Sequence, residues 1–449
     1  MLAAQAVDVV RLGHPARVYP ALQAHTLDAR IEDNETYQRA EARREEAFEV
    51  LDEQDEYTYP SGRWRRGMSD RTIKELAEEG RGSRGVPPEK IEEMAEWLRL
   101  QNKADDLFDE AERLEQTAID EVLSTADVVC STNSTAGSDL LEPANPDEAP
   151  SPRIGTFDAL VIDEATQATA PSCWIPMTRA RRAILVGDHK QLPPTILNRE
   201  AAVSGLQYTL FERLARHHET DPDASGSIRS LLHTQYRMHE TIMGFSSHWF
   251  YDNRLEADPS VRHHTLADLG VARDALPAAR RDILDPEAPL VFVDTSGIDA
   301  PERQRAGSHS RENPREALLV GQWTDDLLAA GLDPSQIAVI SPYDDQVNRL
   351  DGAIDADGVE IDTVDGFQGR EKEVVIVSLV RSNDEGRIGF LDEPRRFNVA
   401  LTRARRKAVV VGDASTVTTG DVFDAVLRYA DTEGGVVRLR DDAAGEALN

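Results

Sequence analysis

The strings FDALVIDEATQA (157–168) and RAILVGDHKQLPPT (182–195) decide the fold. Each opens with a near-continuous run of aliphatic residues and ends abruptly in acid: Asp163–Glu164 in one, Gly187–Asp188 in the other. A strand that is apolar at every position, not every second one, is covered on both faces, as in a parallel sheet. ADVVCST (126–132) is a third strand of this kind, and PLVFVDTS (289–296), IAVISPY (337–343), KEVVIVSLV (372–380) and AVVVGD (408–413) form a later set, with helix-patterned segments such as 316–331 between them. Alternating strands and helices predict an α/β class built on two parallel sheets.

Ahead of these strands the composition changes. From about Glu32 to Leu123 the chain is rich in Glu, Arg and Ala, and apolar residues recur three to four apart (Ile91, Met94, Trp97/Leu98, Leu107, Phe108, Ala111, Leu114). That spacing predicts long amphipathic helices. Five glycines between Gly62 and Pro88 interrupt them. This region reads either as a solvated helical hairpin or as an insertion that touches nucleic acid. The expected organisation is 1–31 as the remnant of a first α/β domain, 32–123 as the charged helical insertion, 124–217 as the rest of the first domain and 228–449 as the second. Segment 138–156, rich in proline and acid, is expected to be a surface loop.

Charge restricts the readings further. The net charge is −32, and of 50 basic residues only six are lysine. Such an acidic, lysine-poor surface suits a cytoplasm of high salt, where the screening length falls to about 3 Å at 1 M. Two cysteines, Cys130 and Cys173, exclude a disulfide framework or a cysteine-rich metal centre and read as small buried hydrophobes. No apolar run reaches the roughly 20 residues that span a bilayer, and no signal-peptide layout is present, so a cytoplasmic location is expected.

Acids at the carboxyl end of parallel strands lie where such sheets bind ligands. Asp163 can hold Mg²⁺ through its water shell and Glu164 can orient or deprotonate a water; the alternative is a solvated strand end. Gln191, three residues after Asp188, can reach a terminal phosphate or the attacking water, or belong to an ordinary loop exit. Pro193–Pro194 makes a rigid turn that could face a nucleic-acid strand. Arg237 in HTQYRM (233–238) and Arg403 in RRFNVALTRAR (395–405) can supply positive charge to a phosphoryl transfer, worth roughly 10³–10⁵ in rate, or be surface ion-pair partners. In DGFQGREKE (365–373), Glu371 can accept from a ribose; Thr363, just before it, can hold a backbone phosphate. The alternative is a tight polar turn.

Taken together and in this order, DEATQA, GDHKQLPP, QYRM, DGFQGREK and FNVALTRAR resemble superfamily 1B DNA/RNA helicases. They match the branch that contains the nonsense-mediated-decay helicase, senataxin and the mu-binding-protein helicase. The HPARV segment near residue 14 and the charged helical insertion fit that branch too. The resemblance covers roughly 160–410. It implies two RecA-like domains that bind ATP and Mg²⁺ and carry single-stranded DNA or RNA, translocating 5′ to 3′. It assigns Asp163 and Glu164 to Mg²⁺ and water, Gln191 to the terminal phosphate, Arg237 and Arg403 to arginine fingers, Tyr236 to the adenine, and Gly369 and Glu371 to the ribose. Ser131, Thr132, Pro194, Tyr343, Thr363, Arg381 and Asn383 fall on its nucleic-acid positions.

One departure is plain. The phosphate-cradling loop GxxxxGK(S/T) is missing, since none of the six lysines follows a glycine. The expectation is therefore the C-terminal part of such an enzyme, inactive alone, completed by an upstream segment or a separate chain carrying that loop. The competing expectation is an ATPase-dead module that binds nucleic acid or docks a partner.

Overall fold

The computed structural model describes residues 7–13, 19–141, 157–217 and 227–441. The HPARV segment, the greater part of the loop expected at 138–156 and the expected domain boundary after residue 217 lie outside them. The chain divides into two compact units, one formed by 1–162 with 170–184, the other by 163–169 with 185–449.

The first unit is dominated by a helical hairpin, Glu35–Gln54 against the 38-residue helix Pro88–Thr125. Asn34 starts the first helix, its side chain accepting from the N–H groups of Thr36 and Tyr37 at 2.8 and 3.2 Å. Pro88 occupies the first turn of the second, where a missing N–H costs nothing. Buried alanines (Ala40, Ala47, Ala104, Ala111) let the two helices approach closely. Arg43–Glu110 and Arg44–Glu115, at 3.2 and 2.6 Å, line the seam. The long helix serves three small cores in succession. Ile91, Met94 and Leu98 pack with Met68, Ile73 and Val86. Leu100, Ala104 and Leu107 pack with Ala47 and Val50. Ile119 and Val122 pack with Val10, Leu12, Leu27 and Ile31.

The strands of this unit come in separate pairs. β1 (Val9–Arg11) runs parallel to β2 (Val128–Cys130), with Val9 opposite Val128. β3 (Leu160–Ile162) pairs with β4 (Ala183–Leu185). Val161 and Ile184 remain 60% and 55% exposed, so these two strands are open on one face. Cys173 is fully buried, whereas Cys130 on β2 is half-buried.

The second unit holds the larger core. After two short strands that pair with each other, β5 (Thr234–Gln235) and β6 (Glu256–Ala257), come β7 (Leu290–Asp294), β8 (Ile337–Ser341), β9 (Glu360–Thr363), β10 (Lys372–Ser378), β11 (Ala404–Gly412) and β12 (Gly435–Arg438). The last six form one sheet in the order β12-β7-β11-β10-β8-β9, every pair parallel. β7 and β8 are buried at every residue. Phe245, Phe292, Phe367, Phe397 and Phe423 cover one side of the sheet; Trp323, Leu266 and Ile376 cover the other. No helix among the described residues is long and apolar enough to cross a membrane.

The division differs from the sequence expectation of a domain running from 124 to 217. Residues 163–169 and 185–217 group with the second unit because polar bonds tie them there. Lys190 O accepts from Asn398 Nδ2 at 2.9 Å and Glu212 pairs with Arg395 at 3.3 Å.

Candidate nucleotide and nucleic-acid site

Two loops at strand ends form the base of the site. Glu164 lies in the left-handed region (φ 50°), turning the chain so that Ala165 N–H donates to Val186 O at 2.8 Å. Thr166 is buried, and its hydroxyl accepts from Asp188 N–H at 3.2 Å. A Cβ at Gly187 would come within about 3 Å of Thr166, which is why glycine stands there.

Asp188 organises the second loop. Its Oδ1 accepts from Lys190 N–H at 2.9 Å, and its Oδ2 accepts from Gln191 Nε2 at 2.8 Å and from the Tyr251 hydroxyl at 2.5 Å. Burial and then the neighbouring Asp188 charge push the Tyr251 phenol up, so it stays a neutral donor. Asn398 Nδ2 donates to the same hydroxyl at 3.0 Å, while its Oδ1 is buried without a partner. Gln191 is thereby fixed at both ends of its amide: the nitrogen faces Asp188 and Oε1 accepts from Arg403 Nη2 at 3.3 Å.

Arg403 is 3% exposed, and among the described residues no carboxylate pairs with its guanidinium. Its remaining N–H groups go to neutral acceptors: Val399 O at 3.0 Å, Thr402 Oγ1 at 3.1 Å and Arg370 O at 3.4 Å. Burial, then the charge of Arg237, pull its pKa down to about 10, against the pull of Glu164 and Glu371. A desolvated cation whose hydrogen bonds all go to neutral groups gains by an anion's arrival.

Arg237 is placed by Gln235, whose Oε1 accepts from the N–H groups of Arg237 and Met238 at 2.8 and 2.7 Å. Its Nη1 donates to Thr402 O at 3.1 Å, and its Nε pairs with Glu371. Glu371, the residue proposed for a ribose, is thus engaged by an arginine in this structure. Tyr236 is exposed beside it. The turn before Glu371 is held by Arg370, which pairs with Glu360 and Asp362 at 3.1 and 2.5 Å and lies over the Phe367 ring. Gly369 has φ 82° with open space around it. Thr363 Oγ1 accepts from Gly366 N–H at 3.1 Å, so its hydroxyl caps the turn.

Asp163 is exposed, and its Oδ1 accepts from Glu164 N–H at 3.0 Å. Among the described residues no group of three or more His, Cys, Asp or Glu gathers to hold a metal. Mg²⁺ needs only one or two carboxylates when phosphates complete its shell, and Asp163 fits that role.

The other expected nucleic-acid positions are distributed differently. Ser131 and Thr132 are exposed on the first unit, with Thr132 Oγ1 accepting from Thr135 N–H at 3.2 Å. Pro194 is half-buried after the buried Leu192. Tyr343 and Arg381, by contrast, are turned inward. Tyr343 is 3% exposed, and its hydroxyl accepts from Arg381 Nη1 and donates to Ile388 O, both at 3.2 Å. Arg381 Nε donates to Glu302 at 2.7 Å, and Asn383 Nδ2 reaches the same carboxylate at 3.0 Å. Burial pushes Glu302 up, but Arg381, Asn383 and the Ser382 N–H together hold it below the usual range.

Beneath this loop lies a polar knot that no sequence pattern marked. Val380, a β-branched residue, has φ 72°, a conformation that costs on the order of 1–3 kcal/mol. Its N–H donates to the fully buried Glu316 at 3.0 Å, and its carbonyl accepts from Asn313 at 3.2 Å. Ser378 Oγ donates to Glu316 at 2.7 Å. Burial raises the Glu316 carboxyl to about 8.

The fixed Gln191 and the buried Arg403 thus meet beside Arg237 and Glu371. Comparison with known proteins names the family. Residues 2–199 match a family described as AAA domain, and residues 206–415 match a second family of the same description. An uncharacterized ATP-dependent helicase of Methanocaldococcus jannaschii is 39% identical over 426 residues, 94% of this chain and 59% of that protein. The rat DNA-binding protein SMUBP-2 is 37% identical over 96% of this chain and 38% of its own length. The DNA polymerase alpha-associated DNA helicase A of Schizosaccharomyces pombe is 33% identical over 94% of this chain and 55% of its own. The chain therefore spans 38% to 59% of the length of these relatives. It belongs to the superfamily 1 helicases, in the branch that includes SMUBP-2.

Proposed function

We propose that this chain is the C-terminal part of an ATP-dependent DNA/RNA helicase, coupling ATP hydrolysis to 5′-to-3′ movement on a single strand. Arg403 carries the reading: a buried guanidinium without a carboxylate, locked to Gln191. Arg403 and Arg237 would stabilise charge on the transferred phosphoryl group, with Gln191 orienting the attacking water and Glu164 taking its proton. Asp163 would hold Mg²⁺, which supplies charge neutralisation at the phosphates. Tyr236 would lie on the adenine. Release of Glu371 from Arg237 would free one for the ribose and the other for phosphate. Ser131, Thr132, Pro194 and Thr363 would line the strand, and Arg381, Asn383 and Tyr343 would shape the loop beside it.

The phosphate-cradling loop must come from elsewhere, either upstream or from a second chain. The exposed aliphatic face at Val161 and Ile184 supports this, because parallel strands are ordinarily covered on both sides. The same face favours one rival, an ATPase-dead module that docks a partner or binds nucleic acid.

The genomic DNA ahead of the Met1 codon separates the two. An in-frame GxxxxGK(S/T) there is the expected result, and the completed protein should then hydrolyse ATP in response to single strands. No such loop upstream or in an adjacent gene would leave the docking module as the reading.

A further inference from the structure

The turn region between the two long helices carries a charge opposite to that of the rest of the chain. Residues 58–87 hold seven basic and four acidic side chains, within a protein of net charge −32. The region is a folded platform, with short helices Gly62–Arg65 and Asp70–Glu78 closed over Met68, Ile73 and Val86.

At its surface two Arg–Gly pairs face each other. Arg66 and Arg84 both adopt left-handed backbone (φ 43° and 51°), each followed by a glycine at φ 74°. Arg66 Nη1 donates to Arg84 O, and Arg84 Nη1 donates to Arg66 O, each at 2.7 Å. A Cβ on Gly67 or Gly85 would come within 2.9 Å of the opposing guanidinium. Arg63 stands beside them, 5.0 Å over the Trp64 ring, and its carbonyl accepts from Arg66 Nε at 3.2 Å.

Three of the four acids of the region are engaged by other arginines: Asp70 by Arg65, Glu75 by Arg71 and Glu79 by Arg81. Arg63, Arg66 and Arg84 are exposed and have no carboxylate, unlike Arg43 and Arg44 in the stem. Two non-glycine residues in left-handed backbone cost about 1–2 kcal/mol each, and gathering like charges adds to that. The arrangement keeps guanidinium N–H groups facing solvent, the geometry that takes up phosphate oxygens. Lys90 lies 5.9 Å from the Trp64 ring and donates to Thr58 Oγ1 at 3.1 Å, its charge met by Glu93. The next residue, Tyr59, is 63% exposed and braced edge-on by Trp97. An exposed, braced ring is what base stacking requires.

We propose that this tip binds the phosphodiester backbone of a single strand through Arg63, Arg66 and Arg84, with Tyr59 stacking on a base. The nature of the ligand rests on the helicase reading above. Fluorescence anisotropy of a labelled oligothymidylate, titrated with the full chain across a salt series, tests it. Replacing Arg66 and Arg84 together by Gln should weaken binding about tenfold and flatten the log K against log salt slope by about 1.4, from roughly 0.7 per phosphate contact. Arg63→Gln, at a side chain that makes no hydrogen bond among the described residues, should weaken binding with an unchanged circular dichroism spectrum even if the double variant misfolds. Tyr59→Ala should cost roughly 5- to 100-fold. Binding by the parent chain with unchanged affinity and slope in Arg63→Gln and Tyr59→Ala would overturn the tip assignment alone. No binding by the parent chain at any salt would overturn the nucleic-acid reading and the tip with it. Loss of polyglutamate binding without loss of oligonucleotide binding would reassign the surface to an acidic peptide.

Discussion

The two units solve the same problem with different means. The second buries a six-stranded parallel sheet under apolar residues on both faces, and can therefore hold charged groups such as Glu316, Lys407 and Arg403 almost without water. The first spreads three small cores along one helix and leaves β3 and β4 open on one side. Buried ionisable groups collect where the core is deep enough to hold them.

The largest effect that would test this contrast is catalytic. In the completed enzyme, Arg403→Ala should lower ATP turnover by about 10³-fold or more, with strand binding changed less than about twofold. Steady-state kinetics beside anisotropy would show it, and unaltered turnover would remove Arg403 from the site.

Packing comes next. Trp323→Ala, in the fully buried layer of the second unit, should cost about 3–5 kcal/mol in urea unfolding of that unit. Val161→Ser, on the open strand of the first, should stay within about 0.5 kcal/mol. Equal costs at the two positions would mean that β3 is covered after all.

A smaller effect is pH dependence. The Glu316 carboxyl, near 4.5 ordinarily and about 8 here, binds its proton more tightly in the folded state. Its contribution is complete below about 4.5 and is lost as pH rises through 8, so the second unit should weaken over that window by a few kcal/mol. Glu316→Gln should flatten the decline. Lys407, lowered by burial from 10.5 to about 7, has the opposite sign, its charge penalty easing as pH rises from 7 to 10.5. His239, lowered by burial from 6.5 to about 4, also opposes the decline as pH rises between those values, so the difference between parent and Glu316→Gln melts isolates the glutamate.

The least effect concerns salt. An acidic, lysine-poor chain should loosen by self-repulsion in dilute buffer. The segmented first unit should be cut by protease there before the second, and resist in molar KCl. Simultaneous cutting would dissolve the distinction.

Much of the second unit was legible because covered strands leave an uninterrupted aliphatic record: β7, β8, β10 and β11 follow their runs closely. The edge strands β9 and β12 left none, because Glu360, Asp362 and Arg438 interrupt the pattern where one side of the strand lacks a neighbour. The motif residues Gln191, Arg237, Glu371 and Arg403 were found from their strings and do meet in the fold. Tyr251 and Asn398 were not singled out, since their role is defined by Asp188, 63 residues from Tyr251 in sequence. Tyr343 and Arg381 were read as facing a strand. Their inward turn depends on Glu302, a distant carboxylate that no local pattern connects to them. Glu316 looked like any helical glutamate, and the backbone of Val380 has no signature at all.

The helix Pro88–Thr125 extends from the strand pair β1–β2 to the arginine tip without a break. At 1.5 Å per residue its 38 residues form a rod of about 57 Å. Treated as a lever, a tilt of about 5° at the Val122 end would sweep the tip through about 5 Å, by simple trigonometry on that length. A small rotation at the root is thus amplified to a displacement of several ångströms at the far end.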